Sequence, residues 1–192
     1  MSQTTVHQIL DAMSTPTKIN RDIAAEKIVA TPGGLDALVD LVFEVTNKKS
    51  IKAAWVLEWI CKYNSLDYIV PYLDVFTKNI HKLQLDSAIR PAAKICELLA
   101  TTYCDPSKNK MQTKVSKTHI DLIVETGFDW LMSPQKIAVR AYTMTALYYF
   151  GLNRAWIHPE LTHLIRTKII HESKGCKARG RKILTLIEKH AN

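Results

Sequence analysis

Basic residues stand at the head of similar runs: Lys52-Ala-Ala-Trp55, Arg90-Pro-Ala-Ala93, Arg140-Ala-Tyr-Thr143 and, more loosely, Lys177-Ala-Arg-Gly180. A cation recurring at one position of successive helices can line a groove as a ladder, a surface suited to phosphates or carboxylates. The competing reading is that each cation pairs with a carboxylate such as Asp86 or Glu58 and ties layers together. Helical projection puts Lys52, Trp55, Glu58, Trp59 and Lys62 on one side, opposite Ala53, Leu57, Ile60 and Cys61. Two tryptophans on a polar face can form an aromatic wall that stacks on a base, a proline or a cation; alternatively they pack against an adjacent helix pair. The next such helix gathers Arg90, Lys94, Glu97 and Thr101 on one face, with Ile95, Leu98 and Leu99 on the other. The candidate binding residues are therefore Lys52, Trp55, Glu58, Trp59, Arg90, Lys94, Arg140 and Lys177.

Catalytic patterns are thin. No nucleophile elbow, Walker loop, His-Glu-x-x-His pair or Gly-rich dinucleotide fingerprint occurs, so no catalytic residue, cofactor or metal site is assigned. His158 and His163, five apart, point in divergent directions on a helix and suit one metal poorly. Cys61, Cys96, Cys104 and Cys176 form no Cys-x-x-Cys pair and read as reduced, mostly buried thiols. Met1-Ser2-Gln3-Thr4-Thr5 has no basic start and no long apolar run follows, which predicts a cytoplasmic protein with no membrane partner.

The elements that position these residues are helices. At 192 residues, 47% hydrophobic and 23% charged, with only 6 Gly and 7 Pro, the chain has the makings of a single packed domain spanning 1–192. Strict apolar/polar alternation is almost absent, which predicts an all-α class of about ten helices. Pro16, Pro134 and Pro159 read as first-turn prolines, Gly33-Gly34 as a stop and restart, and 105–116 as a mobile loop or insertion. The net charge of +8 is uneven: from Arg166 onward eight cations face two carboxylates, a local +6. Within that tail Ile183, Leu184 and Ile187 make a single apolar stripe, as a basic capping helix near 175–190 requires.

Internal similarity organises the rest. The cation-led runs, beginning with Arg21-Asp-Ile-Ala-Ala25, are spaced by 31, 38, 50 and 37 residues. Between them lie amphipathic partners: Leu35-Asp-Ala-Leu-Val39, Leu66-Asp-Tyr-Ile-Val70, His119-Ile-Asp-Leu-Ile123 and Leu161-Thr-His-Leu-Ile165. Small residues let neighbouring helices approach, and stacking about five pairs buries faces that one pair leaves wet. Helices near 20–30, 51–63, 87–104, 135–150 and 176–190 would form the inner layer.

This pattern resembles HEAT and armadillo repeats, which implies an α-α superhelix. More closely, Lys52-Ala-Ala-Trp-Val-Leu-Glu-Trp59, Asp86-Ser-Ala-Ile-Arg-Pro-Ala-Ala-Lys-Ile-Cys96 and Trp156-Ile-His-Pro-Glu160 resemble a family of short bacterial helical-repeat proteins, some of which carry the name adenylosuccinate lyase. The lyase signature loop, Gly-Ser-Ser-x-Met-Pro-x-Lys-x-Asn, has its nearest counterpart at Met132-Ser-Pro-Gln-Lys136, which lacks the glycine and the paired serines. No lyase turnover is expected. The expected function is a non-enzymatic binding module for an acidic peptide or protein. The alternative is a nucleic-acid or repair-like protein, for which Glu58 between two tryptophans is the one candidate carboxylate; weak, salt-sensitive DNA binding is expected from the basic tail.

Overall fold

The computed structural model describes residues 2–191, and no strand occurs among them. Two compact units divide the chain, Met1–Ile95 and Cys96–Asn192.

In the first unit α1 (Ser2–Ala12), α2 (Lys18–Ala30), α3 (Gly34–Val42) and α4 (Lys49–Trp59) pack in contact, α4 against both α2 and α3. Buried Ala24 and Ala25 on α2 and Ala53 and Ala54 on α4 let these helices approach closely. Thr17 Oγ1 accepts the Asn20 N–H at 3.2 Å and caps α2, which leaves Pro16 just before the helix instead of inside its first turn. Gly33 stands at the N-cap of α3 with φ +68°, a conformation that suits glycine and turns the chain sharply after α2. Beyond α4 the backbone widens into a π-helical turn, Ile60–Asn64, in which the Ser65 N–H donates to Ile60 O five residues back at 3.0 Å. A 3-10 segment (Leu66–Tyr72) leads to α5 (Leu73–Asn79), a second 3-10 turn (Ile80–Lys82) and α6 (Asp86–Tyr103).

Pro91 lies inside α6 and has no N–H to give the carbonyl four residues earlier, that of Ser87. Trp55 repairs the gap: its Nε1–H donates to Ser87 O at 2.9 Å. Trp55→Phe should therefore lower stability by about 1 kcal/mol. The loss should shrink in a Pro91→Ala background, where position 91 regains an N–H. A urea-unfolding double-mutant cycle checks this, and equal costs in both backgrounds would show that the indole repairs nothing.

The second unit holds the end of α6, then α7 (Met111–Lys114), α8 (Lys117–Met132), α9 (Ile137–Gly151), α10 (Ile157–Thr167), a 3-10 turn (Ile169–His171) and α11 (Lys174–Ala191). α9 packs against α8, α10 and α11, and a helix covered on several sides needs no polar face. The stretch 105–116 carries α7, anchored by buried Met111 and Val115; Gln112 Nε2 donates to Asp105 O at 2.7 Å within it, and Asn109 Nδ2 ties it to α6 by donating to Thr102 O at 2.8 Å. Pro134 precedes the N-cap of α9 at Lys136, whereas Pro159 does fall in the first turn of α10. α11 buries Cys176, Gly180 and Ile183 and leaves Lys177, Arg181, Lys182 and Lys189 exposed.

Burial governs the thiols. Cys61 is pushed up from 9.0 to about 12, by loss of solvation first and the Glu58 charge second, and Cys96 is raised by burial as well. A raised folded pKa gives stability that is complete below the unfolded value and is lost as pH rises toward the folded one. Between about pH 9 and 12 each buried thiol should thus reduce the folding equilibrium constant about tenfold per pH unit. Urea midpoints under reducing conditions should fall across that window, and less steeply in Cys61→Ala.

Candidate anion-binding site

The first unit brings cations and aromatics together where α2, α4, the π-helical turn and the start of α6 meet. Lys18 and Arg21 are three apart on α2 and line one wall of a cleft of about 290 Å³; Glu58, Trp59, Lys62, Tyr63 and Arg90 line the rest. Trp59 is only 7% exposed, and its Nε1–H donates to Asp22 Oδ1 at 2.9 Å. The Arg21 guanidinium lies over the Trp59 ring, 4.7 Å from its centroid. The wider π-helical turn sets Tyr63 against Trp59, with ring centroids 4.2 Å apart. Such turns recur at functional sites. Lys62 Nζ sits 4.6 Å above the Tyr63 ring and 2.8 Å from its hydroxyl oxygen.

The cleft is electropositive. Four cations, Lys18, Arg21, Lys62 and Arg90, face one lining carboxylate, Glu58. Arg90 holds that carboxylate at 2.7 Å, and the Glu58 side chain is 5% exposed. The Tyr63 phenol is lowered in pKa, first by the Lys62 hydrogen bond; loss of solvation opposes it next, and the charges of Lys62, Lys18 and Arg21 lower it further. The Arg21 Nε is buried without a hydrogen-bond acceptor.

Other sequence candidates have different work. Lys52 Nζ donates to Leu10 O at 2.9 Å and Met13 O at 2.8 Å, where α1 ends. Arg140, expected along a groove, is 2% exposed and does the same for α8: Nη1 donates to Leu131 O at 2.8 Å, Nη2 to Ser133 O at 2.7 Å, and Nε lies 2.8 Å from Glu172 Oε2. Cations at helix C-termini satisfy carbonyls that have no partner inside the helix. Lys52 and Arg140 are thus structural ties, and the ladder reading is corrected at both. Trp55 and Lys52 line a separate groove with Met13 and Pro16, of about 300 Å³. Lys94 is half-buried on α6 and lies outside the cleft lining, and Lys177 is exposed on α11 in the second unit.

Lys18, Arg21, Lys62 and Tyr63 were missed as site residues, Lys62 although the helical projection sets it on the face of Trp55 and Trp59. Arg21 had a visible signal, because it heads the first cation-led run, whereas Tyr63 reaches the site through a π-helical turn that no periodicity announces. A larger hollow of about 750 Å³ in the second unit offers His158 and His190, but His158 Nε2 is 2.9 Å from Tyr148 O and already engaged there. Polar chemistry, more than size, singles out the smaller cleft. Comparison with protein-family models, curated proteins and solved structures finds no match to this chain. No helix among the described residues is long and apolar enough to cross a membrane.

Proposed function

We propose that the chain is a non-enzymatic binding module of the HEAT or armadillo type, an α-solenoid that holds an acidic peptide or protein partner in the basic-aromatic cleft of its first unit. The observation that carries this reading is the set of four cations around the Trp59–Tyr63 pair with a single lining carboxylate. Repetition supports the architecture: Lys52 and Arg140 each lead a similar run and each caps the end of another helix. The part Glu58 would need to play in a repair-like site is weakened, because its buried carboxylate is neutralised by Arg90 at 2.7 Å.

Fluorescence anisotropy of a labelled Asp/Glu-rich peptide, titrated with the full chain at 150 mM salt and compared with a labelled DNA duplex, tests the reading. The peptide should bind and survive neutralisation of Arg181, Lys182 and Lys189 to Gln. Duplex binding should collapse as salt rises, since phosphate contacts release condensed counterions. Tight duplex binding that persists at 200 mM salt, with no peptide binding, would overturn the proposal in favour of nucleic acid.

A further inference from the structure

We infer that the anion read by this cleft is a phosphomonoester dianion, an inference that rests on the binding reading above. Charge is the first reason. Among the lining side chains, Lys18, Arg21, Lys62 and Arg90 against Glu58 leave a surplus of three positive charges, which Asp22, held on the Trp59 indole N–H at 2.9 Å, reduces to two; one carboxylate balances one of these and a phosphomonoester nearly both.

Size is the second. A volume of about 290 Å³ lies at the small end for a ligand site and suits one compact anionic group. A strand of nucleic acid instead needs a groove that tracks successive phosphates and aromatic faces open to its bases. The Trp59 face is taken, since the residue is 7% exposed and lies under Arg21; Tyr63 is 52% exposed, but it is a single ring, set against Trp59 with Lys62 over it, and no succession of open faces follows.

The third reason is the donor. The Arg21 guanidinium is placed over the indole, 4.7 Å from its centroid, and its buried Nε has no acceptor. A planar guanidinium fixed in this way is already shaped to meet two oxygens of one tetrahedral group, which a lysine cannot do.

The experiment uses the full chain and one peptide sequence in three forms, with serine, glutamate or phosphoserine at its centre, plus inorganic phosphate as a competitor. The phosphoserine form should bind at least about tenfold tighter than the other two. Its affinity should fall several-fold from pH 7.5 to 5, as the phosphate takes up its second proton near pH ~6. No histidine lines the cleft, so this step reports the ligand, and the glutamate form should show none. Arg21→Lys keeps the charge, loses the fork, and should bring the phosphoserine form down to the affinity of the glutamate form; a melting curve confirms that the variant is folded. Inorganic phosphate competing as tightly as the phosphopeptide would support the phosphomonoester and assign its source to a small molecule. Equal binding of the glutamate and phosphoserine forms, both above the serine form, would overturn the phosphate inference and leave the acidic-partner reading standing, whereas equal binding of all three would overturn both. Binding of none would overturn both.

Discussion

Arg140→Met should destabilise the second unit by about 3–5 kcal/mol, the range for removing one partner from a buried charged network. The side chain is 3% exposed and is engaged by Leu131 O, Ser133 O, Gln135 O and Glu172. Its loss leaves the end of α8 and the turn beyond it with carbonyls that water reaches poorly. Methionine fills most of the aliphatic volume, so the cost reports the polar network more than a cavity. Arg140→Lys should recover only part of the loss, because one ammonium cannot span three carbonyls and a carboxylate. Glu172→Gln should cost less than either, since the Glu172 side chain is 27% exposed and can be hydrated. Urea unfolding followed by far-UV circular dichroism ranks the three variants. A cost below about 1 kcal/mol for Arg140→Met would mean that this network does not hold α8 to α9.

The second large effect is on binding. Arg21→Glu combined with Lys62→Glu turns the lining side chains of the cleft from a surplus of three positive charges to a net −1, and like charges across an interface cost several kcal/mol. Affinity for an acidic peptide should fall by about 100-fold or more. The fold should survive, because Lys62 is exposed and Arg21 mainly covers an indole face that is also packed by Tyr63. Reversing Lys182 and Lys189 on α11 should change affinity by less than about threefold, although the change in total charge is the same. Comparable losses from both pairs, measured by anisotropy on folded protein, would show that net charge attracts the partner and that the cleft does not.

The residues explain what could and could not be read beforehand. Helices were legible because their apolar spacing is regular: stretches predicted near 20–30, 87–104 and 176–190 correspond to α2, α6 and α11 to within a few residues. The cations at the heads of these runs were legible as a repeated feature, but their task was not. Whether Lys52 meets a ligand or the last carbonyls of α1 depends on where another helix ends, which local spacing does not encode. Arg140 illustrates a second limit, because α9 is apolar on most sides and projecting it onto a polar face has no meaning. Trp55 and Trp59, four apart, read either as an aromatic wall or as packing residues; Pro91 claims the first through Ser87, and Asp22 claims the second. Glu58 and Arg90 do meet, pairing α4 with α6 at 2.7 Å, as one reading anticipated.

The most direct measurement is a ¹H–¹⁵N spectrum that resolves the four indole N–H groups and the Arg21 Nε–H during titration with an acidic peptide. Trp59 and Arg21 share the cleft, whereas Trp130 and Trp156 belong to the second unit. The Trp59 indole and the Arg21 Nε–H should shift in a saturable way, while the Trp130 and Trp156 indoles remain in place. Saturable shifts confined to the amides of α11, with the Trp59 and Arg21 signals unmoved, would contradict binding in the cleft.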